Sequence, residues 1–244
     1  MIVHKLIKRG VNHPNYCEDF ILHEDIDENY SIYGVFDGCS SGIDSHFASA
    51  LIAKVIRNEV KNIDFNNKSI DRIMELLIFN TSISLQKFKK QFNISYNELL
   101  STIVLFLYHR KKDKGKIIAI GDGFLSINGK QIDIDQKNQP DYIGYHIDKI
   151  IDKVSFSVWY DIFVKKYDVE ELKDVTISTD GVFSFFKQGE VAKDADKEIK
   201  PTDYLTKNTD LLGNKAMLGR KSNILKKTYA LHNYDDLGII RIAK

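Results

Sequence analysis

Cysteine, proline and tryptophan are scarce in this chain: two, three and one in 244 residues. Cys17 and Cys39 alone cannot build a disulfide framework, which suits a reducing, cytoplasmic setting, and each thiol reads as a small buried hydrophobe. The prolines are unclustered, no Gly/Ser tract marks a linker and no repeat is visible, so one domain spanning 1–244 is expected. Long apolar runs are missing too. The longest, such as Ile103 to Tyr108, stop well short of the roughly 20 residues of a spanning helix, so no membrane partner is expected. Met1-Ile2-Val3-His4-Lys5 does not open a signal peptide. Charge of one sign is also absent: 35 Lys+Arg against 34 Asp+Glu leave +1. Bulk electrostatics therefore offers no handle for nucleic acid or anionic lipid. What is present, 43% hydrophobic and 28% charged residues, supports a large core and lies outside the regime of disordered chains. Any function must come from particular residues.

Short runs rich in Ile, Val, Phe and Tyr at 2–8, 19–23 and 30–36 read as strands. From Ser45 the period changes. Phe47, Ala48, Leu51, Ile52, Val55 and Ile56 share one helix face, and a second helix follows from an N-cap at Ser69 through Ile70, Met74, Leu77, Leu85, Phe88 and Phe92. Strands are expected again near 101–109, 116–121, 124–127, 130–134, 153–160, 174–179 and 237–242. The basic run Arg110-Lys111-Lys112 reads as a solvated hairpin loop, and Trp159 with Phe156 and Phe163 as core or sheet surface. Residues 187–214 read as loop with one short helix near Thr202 to Lys207, before a helix around Lys215 to Tyr229. Strands, then helices, then strands indicate α+β.

Three apolar runs end alike, in Val35-Phe36-Asp37-Gly38, Ile120-Gly121-Asp122-Gly123 and Ser178-Thr179-Asp180-Gly181. Asp-Gly is the preferred centre of a two-residue hairpin, which remains an open reading for Asp122 and Asp180. It does not explain Asp37, because Cys39-Ser40-Ser41-Gly42 leads into a helix. Glu18-Asp19 and Asp235-Asp236 directly precede strands, either as solvated turns or as parts of the same feature. Strand ends at one edge of a sheet can converge. Carboxylates that meet there repel by about 4 kcal/mol per close pair at an effective dielectric near 20, and a hard cation offsets this. An all-oxygen set selects Mg²⁺ or Mn²⁺ over zinc. Two such ions can activate a water and hold phosphate oxygens, which is hydrolytic chemistry on a phosphate ester.

Taken in order, these motifs resemble the metal-dependent PP2C-type (PPM) serine/threonine protein phosphatases, especially compact bacterial members. The match runs nearly end to end: Cys17-Glu18-Asp19, Val35-Phe36-Asp37-Gly38, Ser101-Thr102-Ile103-Val104, Gly121-Asp122-Gly123, Ser178-Thr179-Asp180-Gly181 and Asp235-Asp236-Leu237-Gly238-Ile239-Ile240. The resemblance implies an α-β-β-α sandwich, two antiparallel sheets flanked by helix pairs. It implies two Mn²⁺ or Mg²⁺ ions, with Asp37 bridging both, the Gly38 carbonyl on one, Asp180 and Asp235 on the other, and Glu18 and Asp19 acting through metal-bound waters. Asp122 matches the position that holds a weaker third ion. The implied reaction is attack of a metal-bridging water on phosphoserine or phosphothreonine in a phosphoprotein, opposing a serine/threonine kinase.

The sequence departs from the pattern in three places. Cys39 stands where many members have a His after Asp-Gly, and Pro14 stands where a phosphate-holding Arg is common. Instead, Gly10-Val11-Asn12-His13 is similar to a Gly-x-x-His element of a bacterial branch, which makes His13 a candidate phosphate contact or proton donor, with Arg9 the other. Asp236 replaces the usual Asn. The missing groups keep a second reading open, a pseudophosphatase acting as a binding or regulatory module.

Overall fold

Ten of the strands pair into two five-stranded antiparallel sheets in a computed structural model that describes residues 1–42, 45–137, 140–192, 195 and 199–244. In the first sheet the order is β1 (Ile2–Lys8), β12 (Leu237–Ala243), β9 (Asp174–Ser178), β6 (Gly123–Ile127) and β7 (Lys130–Ile134). The second runs β2 (Asp19–Asp25), β3 (Tyr30–Asp37), β4 (Ile103–His109), β5 (Lys114–Ile120) and β8 (Lys165–Val169). The sheets pack face to face because their strands alternate: Val35, Val104, Phe106, Ile117 and Ala119 of one meet Leu125, Val175, Ile177, Ile240 and Ile242 of the other.

Helices cover both outer faces. Ala48, Ile52, Ile56 and Val60 of α1 (Ser45–Lys61) and Met74, Leu77, Ile78 and Leu85 of α2 (Ile70–Phe92) bury against the second sheet. Ser69 caps α2 as expected, its side chain accepting from Arg72 N, and Asn93 ends it in the left-handed region. On the other side α4 (Pro201–Thr206) and α5 (Met217–Tyr229) lay Leu205, Leu218 and Leu225 on Leu237 and Ile239. The expected sandwich with flanking helices is the observed fold.

Four expectations are corrected. Residues 153–160 are not a strand but most of helix α3 (Lys153–Phe163), opened by a capping box between Asp152 and Ser155. Its apolar residues lie on both faces: Phe156, Trp159 and Tyr160 are buried, while Val154, Val158 and Ile162 are 57–72% exposed. That erases the helical period and leaves an alternation that imitates a strand. The strand β8 and the short hairpin β10 (Phe185–Lys187) with β11 (Leu231–Asn233) were not expected. Both cysteines are partly exposed rather than buried. In the segments 136–148 and 187–214, residues 138–139, 193–194 and 196–198 lie outside the described residues. Among the described residues, no helix is long and apolar enough to cross a membrane.

Candidate active site

Antiparallel pairing places the starts of β2, β6 and β12 at the same end of the sandwich as the finishes of β1, β3, β5, β7 and β9. That is why the acidic residues, scattered in sequence, meet. Asp19 stands directly opposite Asp37 across β2 and β3. Asp37 is fixed by its own backbone: its N–H donates to Thr102 Oγ1 at 3.1 Å and its C=O accepts from Thr102 N at 2.8 Å. Asp180 opens a 3-10 helix, Asp180–Phe183, immediately after β9. The preceding Thr179 hydroxyl donates to Asp19 Oδ2 at 2.7 Å and accepts from Gly238 N at 3.0 Å, locking β2, β9 and β12 together. A Cβ at Gly181 would fall 1.7 Å from the Asp236 carbonyl oxygen, so only glycine lets these strand ends approach. Neither Asp122 nor Asp180 sits in a two-residue hairpin: one lies where the chain crosses from β5 to β6 of the other sheet, the other at a helix start.

The carboxylates are crowded. Desolvation, followed by the charges of Asp19, Asp180 and Asp235, holds Asp37 well above the usual carboxylate range. Asp19, 4% exposed, is also pushed well up by burial, against the stabilising Thr179 hydrogen bond. Asp180, whose surface opens to solvent, is lifted to about 6, first by desolvation and then by Asp235. Asp235 is raised by desolvation. Asp19, Asp180 and Asp235 each bear on Asp37, and Asp37 and Asp235 on Asp180, so the carboxylates titrate as a coupled cluster whose protons are held above the ordinary carboxylate range. Asp19 Oδ1 is buried without a hydrogen-bond partner. Among the described residues, no three Asp, Glu, His or Cys groups stand close enough to ligate an ion as they are arranged. The donor chemistry is nonetheless all oxygen, the orphaned Asp19 oxygen lacks a positive partner, and the mutual repulsion is of the kind that a hard divalent cation relieves. On those grounds the residues fit such an ion.

Around this centre, Glu18 Oε2 accepts from Ser40 Oγ at 2.7 Å, and the Gly38 N–H donates to the Glu18 carbonyl. His13 reaches the site: its Nε2 lies 3.6 Å from Asp235 Oδ1 and 3.8 Å from Glu18 Oε2. Burial lowers the His13 pKa, but Asp236 chiefly, with Glu18 and Asp235, raises it by more. Arg9 is turned elsewhere, its guanidinium donating to the Pro14 and Asn15 carbonyls. The Cys39 thiol lies 3.0 Å from Ser41 Oγ and beside Tyr142. Asp122 accepts from Gln136 N at 2.7 Å and lines an open groove with Asp133, Asp135, Asp180, Phe183 and Asp235. Asp133 and Asp135 escaped the sequence reading. Their signal was the alternation with Ile132 and Ile134, which puts Asp133 on one face of β7 and Asp135 in line with it just past the strand's end.

Two antiparallel sheets under helix pairs, with an acidic cluster where the strands end, define a phosphatase-like sandwich. Residues 11–215 match the family described as protein phosphatase 2C, and the chain belongs to that family. Among solved structures, a bacterial serine phosphatase bearing an arginine-to-glutamate mutation is 15% identical over 100% of this chain and 98% of its own, with a TM-score of 0.64. The serine/threonine phosphatase Stp1 from Staphylococcus aureus is 12% identical over 100% and 95%, with a TM-score of 0.62. RsbX in complex with magnesium is 17% identical over 98% and 92%, with a TM-score of 0.51. No curated protein matches the sequence.

Proposed function

We propose that this chain hydrolyses phosphoserine and phosphothreonine in proteins with the help of two Mg²⁺ or Mn²⁺ ions. The observation that carries the reading is the convergence of Asp19, Asp37, Asp180 and Asp235, mutually repelling and with raised pKa values, at the strand ends of a protein phosphatase 2C sandwich. Magnesium bound to the similarly folded RsbX supports the choice of cation. Asp37, the Gly38 carbonyl, Asp180 and Asp235 would hold the pair, with Asp122 at a weaker third position. When bound, the ions supply an activated water and neutralise charge on the phosphoryl oxygens.

The chain's own residues prepare the site. Thr102 fixes the Asp37 backbone and Thr179 the Asp19 carboxylate, so little reorganisation is needed when the cluster loses its protons. Ser40 holds Glu18 at the groove mouth. His13 supplies an imidazole beside Asp235 and Glu18. The substrate is read as a phosphoprotein, the product of a serine/threonine kinase.

Purified chain should release phosphate from p-nitrophenyl phosphate and from a phosphoserine peptide with Mn²⁺ or Mg²⁺ and not with chelator. Asp37→Asn should reduce the rate by more than the roughly 10- to 100-fold typical of outer-shell changes. Activity surviving both treatments sinks the proposal. A binding module without hydrolysis is the second reading, favoured by the Cys39 thiol lying against Ser41 rather than among the carboxylates. It is the outcome if calorimetry shows no ion uptake by a folded chain.

A further inference from the structure

Asp236 is 2% exposed, and the polar groups around its carboxylate belong to the loop that follows β1. Gly10 N–H donates to Oδ1 at 2.7 Å, Glu18 N–H donates to Oδ2, and His13 Nδ1 lies 2.8 Å from Oδ2. The loop is pinned in parallel by Val11 N to Asn233 O at 3.1 Å and Asn12 N to Tyr234 O at 3.0 Å. At Gly10 a Cβ would lie 2.3 Å from the Asp235 carbonyl carbon, so the loop lies directly against the strand entry. A carboxylate can accept from three donors at once. An asparagine offers one oxygen and would turn an amide N–H toward a backbone N–H, leaving a donor unpaired. The acid at 236 therefore matches the donors around it, and an amide would not.

The same carboxylate determines which nitrogen of His13 faces the groove. A bare Nδ1 lone pair 2.8 Å from an anionic oxygen would be repelled, so Nδ1 carries the proton. The oxygen lies 2.8 Å from Nδ1 but off the Nδ1–H axis, so the two groups are in close contact without a well-aligned hydrogen bond. Nε2 then projects toward Asp235 and Glu18. Arg9 is committed to loop carbonyls and Pro14 offers no donor, which leaves His13 as the basic group of this loop that approaches Asp235, a residue of the groove wall.

We propose that Asp236 is a positioning residue: it fixes the 10–18 loop and the His13 ring so that Nε2 is the atom presented to the phosphoryl oxygens of the substrate. This rests on the phosphatase reading, with phosphate as the ligand, and adds the means by which this chain replaces the missing arginine. Nδ1 serves the scaffold and Nε2 the ligand, one ring divided between two tasks.

The two tasks separate by substitution. His13→Asn keeps an amide N–H where Nδ1 was, so Asp236 retains its donors, but it removes Nε2; Asp236→Asn disrupts both. In Mn²⁺-loaded full chain, each should lower kcat for p-nitrophenyl phosphate by about 10- to 100-fold and weaken binding of inorganic phosphate. Asp236→Asn combined with His13→Asn should fall no further than His13→Asn alone. His13→Asn should keep the wild-type melting temperature, whereas Asp236→Asn should lower it. Long-range ¹H–¹⁵N spectra of the metal-free chain, at a pH where the ring is neutral, should show His13 as the Nδ1–H tautomer, and Asp236→Asn should lose that dominance. Additive effects in the double variant, unchanged phosphate binding in His13→Asn, or an Nε2–H tautomer in the wild type would each overturn the inference. If Asp236→Asn fails to fold, the wild-type tautomer and the His13→Asn result still decide it. Wild-type chain that binds Mn²⁺ and phosphate yet hydrolyses nothing overturns the proposed function alone, because the His13→Asn effect on phosphate binding remains readable.

Discussion

Under α4 and α5, on the outer side of the first sheet, Arg241 and Lys221 are completely buried cations, while at the strand ends of the sandwich Asp19 and Asp236 are buried acids. Arg241 pairs with Asp174, Nε to Oδ1 at 2.9 Å, and donates to the Leu205 and Asn208 carbonyls at 3.1 and 2.8 Å. Lys221 donates to the Tyr204 and Asn208 carbonyls, burial and then Arg241 bringing its pKa down to about 8. These acceptors lie at the C-terminal end of α4 and just beyond, where helix carbonyls lack intrahelical partners. Asp236 is treated the same way, its acceptors filled by loop donors. Asp19, Asp37, Asp180 and Asp235 are not: they face one another. Charge whose partner comes from the chain is scaffold, and charge set against its own sign is held for something the chain does not supply.

Removing charge from the two places should therefore have opposite effects on the fold. The largest change is expected for Arg241→Met, which strands Asp174 and several carbonyls; denaturant unfolding should show a loss of about 3–5 kcal/mol. Asp37→Asn, proposed above to end catalysis, should instead stabilise the metal-free protein by about 1–2 kcal/mol at a pH where the cluster is ionised, by removing one repelling charge. If both variants destabilise alike, the contrast fails.

The acidic end should also set the pH response. Asp19, Asp37 and Asp180 hold protons above the ordinary carboxylate value, Asp180 to about 6. The folded metal-free chain therefore keeps protons that the unfolded chain releases near pH 4, so that part of its stability is intact below that pH and is lost as pH rises through about 6. In chelator, the melting temperature should be higher at about pH 5 than at about pH 7.5, and saturating Mn²⁺ should restore the neutral-pH value, by about 2.7 kcal/mol at a hundredfold excess over Kd. A melting temperature independent of pH in chelator would contradict the raised carboxylate pKa values. The smallest effect is expected for Cys39→Ser: the thiol touches Ser41 and Tyr142, so stability should change by about 0.5 kcal/mol or less and kcat should stay close to wild type.

Much of the frame was legible in the sequence because it depends on local signals. Alternation marked most strands, three- and four-residue spacing marked α1 and α2, and Asp beside Gly marked where strands stop. What escaped depends on tertiary context. Helix α3 was misread because Val154 and Val158 face solvent, contrary to their chemistry. The strand β8, Lys-Lys-Tyr-Asp-Val, is a polar edge whose pairing with β5 no local pattern announces. The burial of Arg241 in an Ile-Ile-Arg-Ile-Ala strand is made possible by carbonyls more than thirty positions away. The clamp at Asp236 likewise needs donors from Gly10 and Glu18, over two hundred positions distant.

The placement of β12 carries a consequence for biosynthesis. It lies between β1 and β9, so residues 2–8 have no strand to pair with until residues 237–243 have left the ribosome. The loop bearing His13 and the turn bearing Asp235 come from those two distant stretches. A nascent chain therefore carries most of the second sheet before the acidic end is assembled, which waits on the pairing of β1 with β12.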